Sequence, residues 1–545
     1  MTRVYLERVV DTQTVTPNGE RTFSGFHESP ALDGQVVVFY GATAGLTEVG
    51  IYLSTRGTFL LVAADLTMRP DDVVEHGRFT AFHPLFRFFE GDLAFVAEFD
   101  RLYPSSAPGR GVFLKHGTAP PGRFETIANN DLTPPGRTGV FNEFENAYLA
   151  GNFVTFDARS NYPDQIEGIY IWNGATLGLV VETGTLSPLN ELPFLEFFLP
   201  QLGNNNVMFA GYVDFPPWYS HYRADASGIH PVVFEELPVS NNQGRLVGIS
   251  TLYSYDGTIM AFTSSLDTGQ KGVFHYDGKE VRGIVFNKSI VPEAGVIFTD
   301  FHETVATANG TTAFVALTTA GETSLFLSFG NTITRIVTVG HWLDRAAVSA
   351  VGIGPFGVSE RSVAFHVDFE DGSEAIYFAF VSLCGDGVTE LGEQCDNSGE
   401  SPSCDSDCTL AMCGDDYTNP KSGEQCDDGN GIDGDGCQAN CRFPACGDGI
   451  VDPGEQCDLG PSNSDIAPDV CREYCMLPQC GDGVVDLGEE CDSGDDGGSS
   501  TCTASCLLIG TDAIPASTSW GMVVFALAIM SVAKSFGRRC WMRVT

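Results

Sequence analysis

The placement of the cysteines constrains this chain most. All 17 lie after position 383, and 16 of them fall into four groups. These are Cys384, Cys395, Cys404 and Cys408; Cys413, Cys426, Cys437 and Cys441; Cys446, Cys457, Cys471 and Cys475; and Cys480, Cys491, Cys502 and Cys506. Each group reads C-x10-C or C-x12-C, a variable loop, then C-x3-C, within acidic, Gly-rich text such as "CGDGIVDPGEQCD". Four cysteines in roughly 30 residues, with few large apolar side chains, cannot stabilise a core by burial alone. Two disulfides per group can, each contributing about 2–4 kcal/mol by restricting the unfolded chain. Zinc sites commonly use C-x2-C knuckles, and none occurs here. Four cysteines allow three pairings, and spacing does not choose among them. Disulfides persist in oxidising compartments, so the chain reads as an exported protein.

Charge divides the chain at the same places. Residues 384–512 hold 29 acidic against 3 basic residues, residues 513–545 hold 4 basic and no acidic ones, and the whole carries −42. Such a balance argues against nucleic-acid binding, which needs clustered Lys and Arg for the phosphates. The apolar fraction of 43% is that of a globular protein, and 545 residues suffice for several domains. Residues 514–533, "IPASTSWGMVVFALAIMSVA", span about 30 Å if helical, the thickness of a hydrocarbon core. Trp520 marks one end, and Lys534, Arg538, Arg539 and Arg543 follow the other. A transmembrane or sorting helix is therefore expected at 514–533, after a linker at 507–513 and before a basic cytoplasmic tail at 534–545, where Cys540 stays reduced. The opening "MTRVYLERVVDTQTVTPNGE" has no apolar stretch, so a signal peptide is expected upstream of Met1.

Residues 1–383 also repeat. An apolar run follows a Gly or Asn turn in "LDGQVVVFYGA", "EGDLAFVAEF", "AGNFVTFDA", "NNNVMFAGY", "YDGTIMAFTS", "NGTTAFVAL" and "SERSVAFHVDF", with a second strand signal after most of them. Short β-branched and aromatic runs cut by Gly, Pro, Asp and Asn read as strands. Four strands in each of seven units predict a seven-bladed β-propeller. The last unit stops after its second strand, and "RVVDTQTVTPNGERTFSGFH" near the start supplies its missing half. The N-terminal strands are thus expected to complete the last blade and remove exposed sheet edges. The expected fold is mainly β: this propeller over 1–383, then four small disulfide-rich repeats (384–408, 413–441, 446–475 and 480–506), then the transmembrane helix.

Three resemblances follow from these motifs. On "CGDG…GEQCD" and "CDDGNGIDGDGCQANC", residues 384–506 resemble the Myxococcus-type cysteine-rich repeat of bacterial surface proteins. On Gly91-x-x-Ala94-Phe95 and Gly310-x-x-Ala313-Phe314, residues 1–380 resemble bacterial "choice-of-anchor" tandem-repeat proteins with an NxxGxxAF signature. On Ile514, Pro515, Trp520, Gly521, Arg538 and Arg539, the end resembles IPTL and PEP-CTERM sorting segments, with Ala516 and Ser517 in place of Thr-Leu. They imply an envelope or cell-surface location and supply no catalytic residue.

Two clusters invite a metal. Asp427, Asp428, Asn430, Asp433 and Asp435 offer hard oxygens on Gly-rich turns, which suits calcium, although the spacing is not that of an EF-hand. Solvated acidic turns are the alternative. His27, His83 and His302 each end an F-x-x-F-H segment at equivalent positions in three units. They either converge on a transition metal or cap strand ends locally. No HExxH, G-x-S-x-G, P-loop or helix-opening GxGxxG occurs. Two functions stand open. One is a surface display protein whose propeller, held on an acidic spacer, binds a protein, glycan or matrix component. The other is an extracytoplasmic hydrolase or lyase with its site at the channel mouth.

Overall fold

The computed structural model describes residues 2–510 except 18, 20, 28, 44–48, 56–57, 65–75, 102–107, 118–122, 162–164, 204, 217, 292–295, 331, 345 and 495–500. The predicted helix and its flanks, with Ile514, Pro515, Trp520, Gly521, Arg538, Arg539 and Cys540, lie outside them. No helix among the described residues is long and apolar enough to cross a membrane.

Residues 2–383 form a β-propeller whose described strands fall into seven sheets. The plainest are four-strand meanders, such as His76–Phe89, Asp92–Arg101, Gly109–His116 and Arg123–Asn129. The packing repeats sheet by sheet because the aromatic positions do. A second-strand ring stacks on a third-strand ring in every sheet, with centroids 5.7 Å apart for Phe39–Tyr52, 5.8 Å for Phe95–Phe113 and 5.6 Å for Phe314–Phe326. In four sheets a first-strand Phe meets the third-strand ring edge-on, as Phe141 meets Tyr170 at 4.9 Å, and in a fifth Phe194, just before its strand, meets Tyr222 likewise. Offset and edge-on rings add about 0.5–1.5 kcal/mol per pair to simple burial.

Six blades are distinguished, one fewer than the seven expected. The sheet that departs most from a plain meander lies over 238–286. Its inner edge is split into Gly244–Val247 and Tyr253–Tyr255, and Pro238–Val239 pairs in parallel with Val281–Phe286. The other inner strands are interrupted at the matching place. Their register slips between Phe82 and Phe86, Phe144 and Ala147, Phe198 and Gln201, and Phe301 and Val305. Two further inner edges break between Phe26 and Ala31 and between Gly352 and Val358.

The ends of this region meet. Thr2–Asp11 pairs antiparallel with Glu374–Leu383, from Thr2 opposite Leu383 to Asp11 opposite Ala375. The last sheet thus takes its outer strand from the start of the chain, which covers an edge that would otherwise recruit other strands. Glu374 also accepts the Phe26 N–H at 2.7 Å, tying the first sheet to the last.

The first cysteine group belongs with the propeller. The compact unit comprises 1–400 and 404–410, so it runs past the expected boundary at 383. Leu391 joins the apolar cluster of Val9, Phe378 and Phe380, and Arg361 pairs with Glu390. The approach is close enough that a Cβ on Gly392, at φ +88°, would lie 3.0 Å from Tyr5 Cβ.

The second unit holds residues 401–403 and those from Ala411 onward. Disulfides in both units are nested: the first cysteine of each group pairs with the fourth and the second with the third. The bonds are Cys384–Cys408, Cys395–Cys404, Cys413–Cys441, Cys426–Cys437, Cys446–Cys475, Cys457–Cys471, Cys480–Cys506 and Cys491–Cys502. The acidic motif has a structural role. The Asp after the second cysteine caps the CGDG turn: Asp458 accepts Gly447 N–H at 2.6 Å, and Asp492 accepts Gly481 N–H at 2.8 Å. The glutamate three residues before that Asp also turns inward, Glu455 accepting Asp452 N–H at 3.0 Å.

Consecutive groups within this unit are docked, so like charge does not hold them apart. Gln438 Nε2 donates to Asp452 Oδ1 at 2.6 Å. Arg472, only 1% exposed, gives Nε to Asp482 at 2.6 Å, pairs with Asp486 through Nη2, and donates Nη1 to Ala467 O at 3.0 Å.

Candidate functional site

Among the cavities of the propeller, two are shaped by the inner strands. The smaller, about 270 Å³, sits where the interrupted strands converge. Ser29, Leu85, Leu199, Leu252, Thr304 and Ile353 come from six sheets and line it, with Tyr253, His302, His366 and Asp368 among them. His366 Nε2 lies 3.4 Å from Glu374 Oε2 and 3.8 Å from Asp368 Oδ1. The His366 hydrogen bond holds the Glu374 carboxyl below the usual range against the effect of burial, helped by the Phe26 amide. His366, Asp368 and Glu374 bring one ligand atom each within 4.8 Å of one another, a set able to hold a cation. The His366–Glu374 hydrogen bond accounts for their proximity without one.

A second ionisable group stands at the position equivalent to His366. His366 follows the stacked Phe365, and Asp157 follows the stacked Phe156. Asp157 is buried and accepts both the backbone and side-chain N–H of Asn146, at 3.2 and 3.1 Å. Burial, then the nearby Glu145, pushes its carboxyl up to about 8.

The larger cavity, about 1040 Å³, is framed by turns between first and second strands: Glu90, Gly151–Asn152, Asn205–Asn206 and Asp256–Gly257. At its floor is Arg87, on His76–Phe89 just past the register slip at Phe82–Phe86. Its guanidinium carbon lies 5.2 Å from the centre of the Phe356 ring, 5.6 Å from that of Tyr148 and 6.0 Å from that of Phe89. Among the described residues its buried Nε has no hydrogen-bond acceptor. Tyr148 is fixed by donating to Tyr255 O at 3.1 Å, and burial pushes its hydroxyl up to about 12. Two carboxylates of the lining are already used. Asp256 accepts Ile259 and Asn309 N–H, each at 2.8 Å, and Asp225 accepts Ser227 N–H at 2.8 Å.

The residues singled out from sequence are dispersed. His302 lines the smaller cavity. His83 is held at about 4 by burial, then by Arg110 and by its neighbour His27, and among the described residues His27, His83 and His302 do not bring three ligand atoms together. The acidic run of the second cysteine group holds backbone. Asp427 accepts Gly414 N–H at 2.6 Å, Asp428 accepts Cys437 N–H at 3.0 Å, and Asp433 accepts Ala439 N–H at 2.8 Å. Asn430 donates to Asp435 at 3.2 Å and accepts Ile432 N–H at 2.7 Å. Among the described residues Asp427, Asp428, Asp433 and Asp435 do not bring three ligand atoms together; Asp427 is grouped only with Cys413 and Cys441, which are disulfide-bonded.

One serine–histidine contact exists near the larger cavity. Ser227 Oγ is 2.8 Å from His230 Nε2, but Asp225 lies 3.6 Å from the same nitrogen. A charge-relay arrangement needs the acid on Nδ1, so this exposed turn does not build an acyl-transfer site. Sequence reasoning missed Arg87, Tyr148, Phe356, His366 and Asp157. The available signal for Arg87 was a cation inside "LFRFF", a run otherwise apolar.

No family model matches the chain, and no curated protein does. Among solved structures, the chain is similar to the β-propeller domain of the Trilobed protease from Pyrococcus furiosus, at 11% identity and a TM-score of 0.39 over 66% of this chain and 95% of that one. It is also similar to a prolyl endopeptidase, at 12% identity and 0.37 over 64% of this chain and 45% of that one. A sialidase from Trypanosoma rangeli matches at 10% identity and 0.32, over 70% and 58%.

Proposed function

We propose that this is an extracytoplasmic display protein whose propeller binds a ligand in the larger cavity. The second to fourth cysteine groups form an acidic spacer leading to a membrane-directed or sorted C-terminus. One observation carries the reading. The larger cavity places a cation between aromatic rings and exposed turn side chains, with no complete nucleophile–base–acid relay among the described residues. Preformed concave sites with a few oriented polar groups are the usual form of a binding pocket. The eight disulfides support an oxidising compartment. We also read the sheet over 238–286 as a seventh blade, since Phe262 stacks on Phe274 at 5.7 Å like the pairs of the other sheets. A second reading, a hydrolase or lyase, rests on the smaller cavity, where His366 of the lining meets Glu374.

The test is a panel of immobilised glycans and matrix proteins incubated with the purified chain, with products followed by mass spectrometry. Saturable binding with the probe recovered intact is expected. Catalytic release of fragments would replace this reading with the second one.

A further inference from the structure

We infer that the larger cavity is a site for a saccharide bearing a carboxylate, of the hexuronate class, with Arg87 as its anion receptor. This rests on the binding reading above. The guanidinium is the part of the site that demands a partner. Its neighbours are rings, at 5.2 to 6.0 Å from ring centre to guanidinium carbon, and no carboxylate pairs with it among the described residues. The ring faces hold the cation in one orientation, and the Nε–H is buried without an acceptor among the described residues. An incoming carboxylate supplies the charge-assisted, bidentate bond that arginine geometry favours.

The walls select the body that carries this carboxylate. Phe153 is 44% exposed at the rim and Leu179 39%, giving apolar surface for the C–H face of a sugar ring. Asn152 and Asn205 stand on turns beside it, exposed and without hydrogen bonds among the described residues, so their amides can meet hydroxyls as donor and acceptor. Carboxylate, apolar ring face and vicinal hydroxyls occur together in a hexuronate. A volume of about 1040 Å³ accommodates more than one such residue. The net charge of −42 does not forbid an acidic ligand. Fields of exposed charges are screened beyond about 8 Å at physiological ionic strength, and the contact with Arg87 is shorter than that.

Calorimetry on the full chain tests this with three probes: trigalacturonate, its neutral methyl ester, and a glutamate-rich hexapeptide. Trigalacturonate is expected to bind saturably, and the ester about tenfold or more weaker, roughly 1.4 kcal/mol. Arg87→Gln should weaken trigalacturonate by at least about tenfold and leave the ester unchanged. Phe153→Ser should weaken both. Should Arg87→Gln fail to fold, the comparison of acid and ester on the unaltered protein still decides, with Arg87→Lys as the second variant, expected to fall between. Equal binding of acid and ester, or tighter binding of the peptide, overturns the inference while leaving a binding protein. Binding by none of the probes also overturns it. Cleavage of trigalacturonate overturns the binding reading itself.

Discussion

At Asp157 burial and charge conflict, and the conflict sets a pH dependence. Its folded carboxyl titrates near about 8, well above the usual carboxylate range, because burial and Glu145 disfavour the anion. Between roughly pH 4 and pH 8 the unfolded chain has released this proton and the folded chain has kept it, so stability falls as pH rises through that window. Asp157→Asn keeps an oxygen for Asn146 and removes the titration. The variant should melt higher than the parent at pH 8, by on the order of 1–3 kcal/mol, and the gap should close near pH 4. Parallel melting curves of parent and variant across this range would refute the assignment. Glu374 has the opposite sign. Its folded carboxyl lies below the usual range, so its contribution is full above the unfolded value and lost as pH falls through the folded one. Glu374→Gln should therefore destabilise at pH 7 and make little difference in acid, read by melting temperature.

At the scale of elements, two strands and one side chain join parts that sequence alone treats as separate. Deleting residues 2–11 strips the outer strand from Glu374–Leu383 and exposes a long apolar edge. Cooperative loss of stability and aggregation are expected, measured by calorimetry and light scattering. An unchanged melt would show that the strand is dispensable for closure. Arg472 joins the third and fourth cysteine groups while almost wholly buried. Arg472→Ala orphans Asp482 and Asp486 and should cost about 3–5 kcal/mol, more than Arg472→Met with Asp482 and Asp486 both changed to Asn. Susceptibility to protease between Cys475 and Cys480 reads the effect. The closing strand was legible because a repeat that ends half-finished calls for its other half. Arg472 was not, since the position after the third cysteine holds Asp405, Gln438 or Thr503 in the other groups. Only the fold shows that Gln438 and Arg472 both reach into the following turn. Arg87 escaped for a related reason. Strict alternation along a strand sorts residues into two faces, but the slip between Phe82 and Phe86 resets that alternation before Arg87.

At the scale of the whole molecule, cysteine spacing gave group membership but not pairing, because pairing depends on the turn each acidic motif builds. In every group the Asp after the second cysteine accepts amides of the turn that opens the group, at 2.8 Å for Asp396 to Gly385, 2.6 Å for Asp427 to Gly414 and 2.8 Å for Asp492 to Gly481. Burial opposes ionisation of these carboxyls, yet the amides outweigh it and hold them below the usual range. The acids therefore act as internal turn caps more than as a free brush of charge. The oxygens that calcium would use at Asp427, Asp428 and Asp433 likewise accept backbone amides. Adjacent groups are then fastened by Gln438 to Asp452 and Arg472 to Asp482. Like-charge repulsion between exposed groups is screened by salt, whereas buried contacts of this kind are not. The segment 411–510, which lies wholly within the second compact unit, should keep its radius of gyration from 10 mM to 500 mM salt, and millimolar calcium should not raise its melting temperature. Small-angle scattering that shows marked contraction with salt would mean that the latches are open in solution and that charge sets the spacing. Reduction of the disulfides should abolish the salt indifference, because the nested bonds hold the turns in which those latches are made.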